Sequence, residues 1–166
     1  MLKSKDTIGL QIITLDAGAK LGKVHDLLLD GAGTKVLGLL VDEGGWFSSA
    51  KVVPWTAIRV IGADAVIVDS EMSQAKASDI PEMKQAVDRG ASVHGLHIHT
   101  TEGRDLGKID SFYYNAGTGK VDGFGLSGSL GKVFLPAPAS LEIGKDVAFV
   151  EPSAAETVQD LKKSTK

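Results

Sequence analysis

The chain has 166 residues, of which 43% are hydrophobic, 20 are glycine and none is cysteine, a composition that suits a turn-rich, β-leaning globular protein. The absence of cysteine excludes a disulfide framework and any thiolate metal site. A formal net charge of −3, spread evenly along the chain, disfavours direct nucleic-acid binding through a phosphate-neutralising surface.

Lys3, Lys5, Asp6, Asp16 and Lys20 break the first segment into short apolar runs, and no run approaches the roughly 18 residues of a membrane helix. No signal peptide or membrane span is expected, and the cytoplasm is the expected location. Ile8 to Ile13 reads as a strand, and Asp16-Ala17-Gly18-Ala19 as a turn. Leu21 to Asp30 follows as a strand covered in part on both faces, because Leu27, Leu28 and Leu29 interrupt clean alternation. Asp30-Gly31-Ala32-Gly33-Thr34 supplies a hairpin turn into Lys35 to Val41. Glu43-Gly44-Gly45 breaks that strand, and Lys51 to Pro54, Ala57 to Ile61 and Ala65 to Val68 complete six strands over residues 1–70. Pro54 lacks an amide donor and should lie at a strand end.

Residues 71–92 read as a linker with one short helix, in which Asp79 can cap, Pro81 fits the first turn and Met83, Ala86 and Val87 share a face ending at Gly90. Residues 93–150 repeat the opening pattern through Leu96 to Thr100, Leu106 to Tyr114, Lys120 to Leu126, Lys132 to Leu135, Ser140 to Glu142 and Val147 to Val150. The correspondence runs at an offset of 85 (Lys35 to Lys120), then 82 (Asp64 to Asp146), as expected of a tandem duplication shortened in one loop. Residues 151–166 are polar and read as a frayed helix or a disordered tail.

Ile8-Gly9, Leu21-Gly22-Lys23-Val24, Asp30, Gly33 to Val36, Gly38 to Asp42, Val53-Pro54-Trp55 with Ile58, and Gly62 with Asp64 resemble the PRC-barrel family. The second copy keeps Gly95, Leu106 to Ile109, Gly117 to Val121, Gly123, Leu135-Pro136 and Gly144-Lys145-Asp146, but replaces Pro-Trp-x-x-Ile with Pro136-Ala137-Pro138-Ala139-Ser140. The resemblance implies an all-β fold of two tandem six-stranded barrels used for binding or assembly. Relatives include the cytoplasmic domain of the photosynthetic reaction-centre H subunit and the C-terminal domain of a ribosome maturation factor, so fold alone does not choose one role.

Trp46 and Phe47, in a glycine-flanked loop, are the candidate partner contacts; they either fold back over a barrel mouth or form an anchor for a protein partner or a second copy. His94, His97 and His99 are weak metal candidates: in a strand His97 and His99 share a face, but two ligands fall short of the usual three or four. No metal site is assigned from the sequence. Asp26, Asp30 and Gly31 imitate part of a calcium loop whose remaining oxygen positions hold Leu28 and Leu37. Gly125-Leu126-Ser127-Gly128 misses the nucleophile-elbow spacing. The expected function is a non-enzymatic interaction scaffold without cofactor, acting on a protein partner or by self-association, a homodimer included. The alternatives are an RNA-processing or ribosome-assembly accessory protein acting through a ribosomal-protein partner, and a metal-binding sensor using the histidine cluster.

Overall fold

The computed structural model describes residues 1–42, 50–138 and 140–160. Trp46 and Phe47 lie outside the described residues. The chain opens with β1 (Leu2–Lys3) and a single helical turn, α1 (Ser4–Thr7). The first barrel follows as β2 (Gln11–Thr14), β3 (Lys20–Leu29), β4 (Val36–Asp42), β5 (Lys51–Pro54), β6 (Ile58–Ile61) and β7 (Ala65–Val68). Then β8 (Ala75–Lys76) and α2 (Pro81–Asp88) lead to the second barrel. That barrel comprises β9 (His97–Thr100), β10 (Asp105–Tyr114), β11 (Val121–Gly128), β12 (Gly131–Pro136), β13 (Glu142–Ile143) and β14 (Val147–Val150), and β15 (Gln159–Asp160) joins it at the end.

The two sheets have the same strand order. The first runs β6-β7-β2-β3-β4-β5-β8 and the second β13-β14-β9-β10-β11-β12-β15. In each, the first strand of the repeat sits between an antiparallel neighbour and a parallel one: β2 between β3 and β7, β9 between β10 and β14. Only a short turn, Trp55–Ala57, separates β5 near one edge from β6 at the other, so the sheet must curl upon itself.

Three expectations need correction. Ile8 to Ile13 is not all strand: Gly9 has φ +92°, and pairing begins at Gln11. Asp79 does not cap α2; it lies in a tight turn, Ala77–Asp79, and the N-cap position is Ile80. Residues 151–160 are not a loose tail: Pro152–Thr157 form a 3-10 helix that is packed and not frayed. Ala154, Ala155 and Val158 pack on the core, and β15 pairs with β12 at Val133 and Phe134.

The linker also has a structural task. β8 extends the first sheet from β5, and α2 lays Met83 and Ala86 on Leu28 and Val52, which explains why consecutive leucines of β3 are all buried. Gly38 makes room for this helix, since a Cβ there would stand 2.2 Å from the Met83 methyl and 2.3 Å from the Val53 carbonyl oxygen.

The barrels meet around a local two-fold relationship. Lys35 and Lys120, equivalent residues of the two repeats, form an antiparallel bridge. Val36 N–H donates to the Gly119 carbonyl at 2.8 Å, and Val121 N–H donates to the Thr34 carbonyl at 2.9 Å. The turn around Gly33 enters the second barrel beside Leu141, Phe124 and Ile143, while Gly119 lies against the Trp55 ring. One continuous hydrophobic core therefore joins Leu27, Leu39 and Val53 of the first repeat to Phe112, Phe124 and Leu135 of the second.

Candidate functional site

Two polar clusters stand out, and the sequence-level histidine group is divided between them. His94 belongs to a buried cluster at the junction. Ser4 Oγ lies 2.8 Å from His94 Nε2 and 2.9 Å from Ser111 Oγ, and accepts the Phe112 N–H at 2.9 Å. His94 Nδ1 is 3.2 Å from Ser92 Oγ and 3.6 Å from Asp26 Oδ1, and its ring stacks on Phe112. Asp26 Oδ1 in turn accepts the Leu27 N–H at 2.8 Å.

Serine, histidine and aspartate in this order resemble the side-chain set of an acyl-transfer triad. The surroundings give them another task. Ser4 is fully buried, its oxygen is surrounded by three partners, and the Asp26 contact exceeds hydrogen-bond length. The cluster ties the N-terminal turn and β3 of the first repeat to β10 of the second, satisfying polar groups that burial would otherwise leave unpaired. Sequence reasoning missed it because Ser4 and Ser111 lie 107 residues apart in the chain.

His97 and His99 project from the outer face of β9, flanking buried Ile98. Asp105, at the start of β10, is the register partner of His99. Its Oδ2 lies 2.9 Å from His97 Nδ1 and 3.9 Å from His99 Nε2. Gly107 N–H donates to Asp105 Oδ1 at 2.8 Å, across a bulge in the β9–β10 pairing. Burial pushes the Asp105 carboxyl up, but the Gly107 and His97 hydrogen bonds and the charges of His97 and His99 outweigh it and hold the group below its ordinary value. Imidazole nitrogens and a carboxylate are metal-ligand atoms as well as ion-pair partners.

A third feature is duplicated. The corner after β5 carries a groove lined by Pro54, Trp55, Ile80 and Met83, and the matching corner after β12 carries one lined by Pro136, Pro138, Ser153 and Ala154. Trp55 itself packs edge-on against Tyr114 of the other repeat, with ring centroids 6.2 Å apart. Among the described residues, no helix is long and apolar enough to cross a membrane.

Fold and clusters together define a twin-barrel protein built on an internal duplication. The chain belongs to the PRC-barrel family, whose domain model matches residues 1–73 and again 87–156. It is also similar to an uncharacterized protein of Clostridium acetobutylicum, 33% identical over 67 residues, which cover 37% of this chain and 77% of that protein. Both barrels are therefore members of a module for protein interaction or assembly.

Proposed function

We propose that this chain is a non-enzymatic scaffold whose two barrels present protein-binding surfaces in one fixed relative orientation. The reciprocal pair of hydrogen bonds, Val36 to Gly119 and Val121 to Thr34, is the observation that supports this reading most directly. Two domains tethered by a linker alone would reorient freely, whereas a junction with shared core and paired backbone holds partner surfaces at a set distance. The polar groups that look catalytic in composition are engaged in that junction, with Ser4 enclosed by His94, Ser111 and Phe112.

The contact residues on this reading are Trp46 and Phe47, assigned from sequence as an aromatic anchor in the segment between β4 and β5. The test is affinity capture with mass spectrometry, run beside light scattering, on the full chain and on its Trp46→Ser/Phe47→Ser variant. Loss of a reproducible partner, or of a self-associated species, with the melting temperature retained supports the scaffold. Identical partner recovery and identical mass in both proteins overturn the assignment of these residues.

A further inference from the structure

We propose that His97, His99 and Asp105 form a binding site for a divalent transition-metal ion of the zinc class on the outer face of the second barrel. The ligand atoms of the three residues all lie within 4.8 Å of one another. Zinc bonds of about 2.0–2.2 Å to nitrogen and oxygen put tetrahedral ligand atoms roughly 3.3–3.6 Å apart. The observed 2.9 Å and 3.9 Å separations from Asp105 Oδ2 bracket that distance. Small rotations of the two imidazoles are enough to seat the ion, and with His97 45% and His99 33% exposed there is room for them.

Two local features favour a site over a chance cluster. The first is the orientation of the carboxylate: Gly107 N–H holds Oδ1, which also lies 3.2 Å from His97 Nδ1, while Oδ2 faces both imidazoles, and such an outer partner fixes a metal ligand. The backbone behind this orientation is the bulge at Gly107, which has φ +129° and where a Cβ would stand 3.0 Å from the Ser127 carbonyl oxygen. The first barrel has the same bulge at Gly22, with φ +144°, so the bulge belongs to the fold and only the side chains around it differ. The second is the difference between the copies. Gln11 pairs with Ala65 as His97 pairs with Val147, and Ile13 pairs with Lys20 as His99 pairs with Asp105. At the three ligand positions the first barrel thus carries an amide, a hydrocarbon and an ammonium, which cannot hold a cation.

The donor set selects the ion. Two imidazoles and one carboxylate suit Zn²⁺, Ni²⁺ or Cu²⁺, while Ca²⁺ and Mg²⁺ require a shell dominated by oxygen. Three protein ligands leave a coordination position open towards solvent, beside half-exposed Phe149, the register partner of His99. The ion is accordingly exchangeable, and its open position accepts water or a side chain from another protein.

Calorimetric titration of Zn²⁺ into the tag-free full chain tests the site, with Co²⁺ absorption spectra as a second probe. The expected result is one ion per chain, binding weakened at least about tenfold by His97→Ala, His99→Ala or Asp105→Asn, and unaffected by His25→Ala or by excess Mg²⁺. Imidazole NMR signals of the unmodified protein give a readout independent of variant folding: Zn²⁺ should shift His97 and His99 and leave His25 and His94 in place. Equal Zn²⁺ affinity in the wild type and the His97→Ala/His99→Ala variant, or shifts confined to His25 or His94, would overturn the proposal.

Discussion

Lys35 and Lys120 are at once equivalent residues of the two repeats and each other's bridge partner. A contact in which a residue meets its own counterpart is the mark of an isologous interface, here contained in one polypeptide. Both lysine side chains are exposed, so the attraction comes from the flanking backbone bonds and not from the charges. The surface that would pair two single barrels is already occupied inside the molecule. Any homodimer must use another face.

The junction predicts that the two barrels unfold together. Gly119 has φ +78°, and a Cβ there would lie 2.9 Å from the Trp55 ring; Gly33 has φ +64°, and a Cβ there would lie 2.5 Å from Leu141. Gly119→Val and Gly33→Val should each destabilise the protein by about 1–3 kcal/mol through overpacking, with backbone strain added. In urea, tryptophan fluorescence from the first repeat and near-ultraviolet tyrosine dichroism from the second should give coincident midpoints in the wild type and both variants. Separate midpoints would mean that the repeats are independent.

Ser4 predicts a stability effect. Removing its hydroxyl in Ser4→Ala leaves the Phe112 N–H without its acceptor and takes a neighbour from His94 and Ser111. The expected loss is about 1–3 kcal/mol, the penalty for an unsatisfied buried polar group. A denaturation midpoint unchanged from wild type would show that the cluster does not hold the junction.

Much of this architecture is legible in the sequence, for a physical reason. The glycines, the Leu-Gly-Lys strand starts and the prolines recur because both barrels need the same bulges and close approaches: Gly22 and Gly107 share a positive φ, and Gly38 and Gly123 share crowded positions. The junction is not legible, because Ser4, Asp26, His94 and Ser111 converge only once both barrels are folded. Asp105 stands between these cases. Thr100 N–H donates to the Arg104 carbonyl across a tight turn, so His99 and Asp105 flank a hairpin, and pairing the residues on either side of that turn would have placed them together. Trp46 and Phe47 rest on sequence alone.

Gly38 and Gly123 predict matched sensitivity in the two repeats. A Cβ on Gly38 would meet the Val53 carbonyl oxygen at 2.3 Å, and one on Gly123 would meet the Leu135 carbonyl oxygen at 2.6 Å and the Phe134 ring at 2.3 Å. The neighbouring backbone cannot move aside cheaply, so Gly38→Ala and Gly123→Ala should each cost about 1–3 kcal/mol despite adding one methyl group. Alanine at neighbouring Gly125, where the nearest atom would be 3.5 Å away, should be tolerated far better. Thermal melts of the three variants check this ranking.

Tyr114 predicts the alkaline limb of stability. Its ring is fully buried between Trp55 and Phe112, and burial pushes its hydroxyl above the ordinary phenol value, partly opposed by the hydrogen bond with Thr7. A raised value in the folded state means that the neutral phenol is the form the fold accepts. The stability linked to it is therefore complete below the unfolded value of about 10 and is lost as pH rises through the higher folded value. In Tyr114→Phe this loss has no source, although the variant forfeits the 2.6 Å contact with Thr7 and should be about 1 kcal/mol less stable at neutral pH. Urea midpoints between pH 7 and 11 should show a constant gap up to about pH 9, then convergence as the wild type weakens above pH 10. Parallel curves through pH 11 would show that Tyr114 does not govern alkaline unfolding.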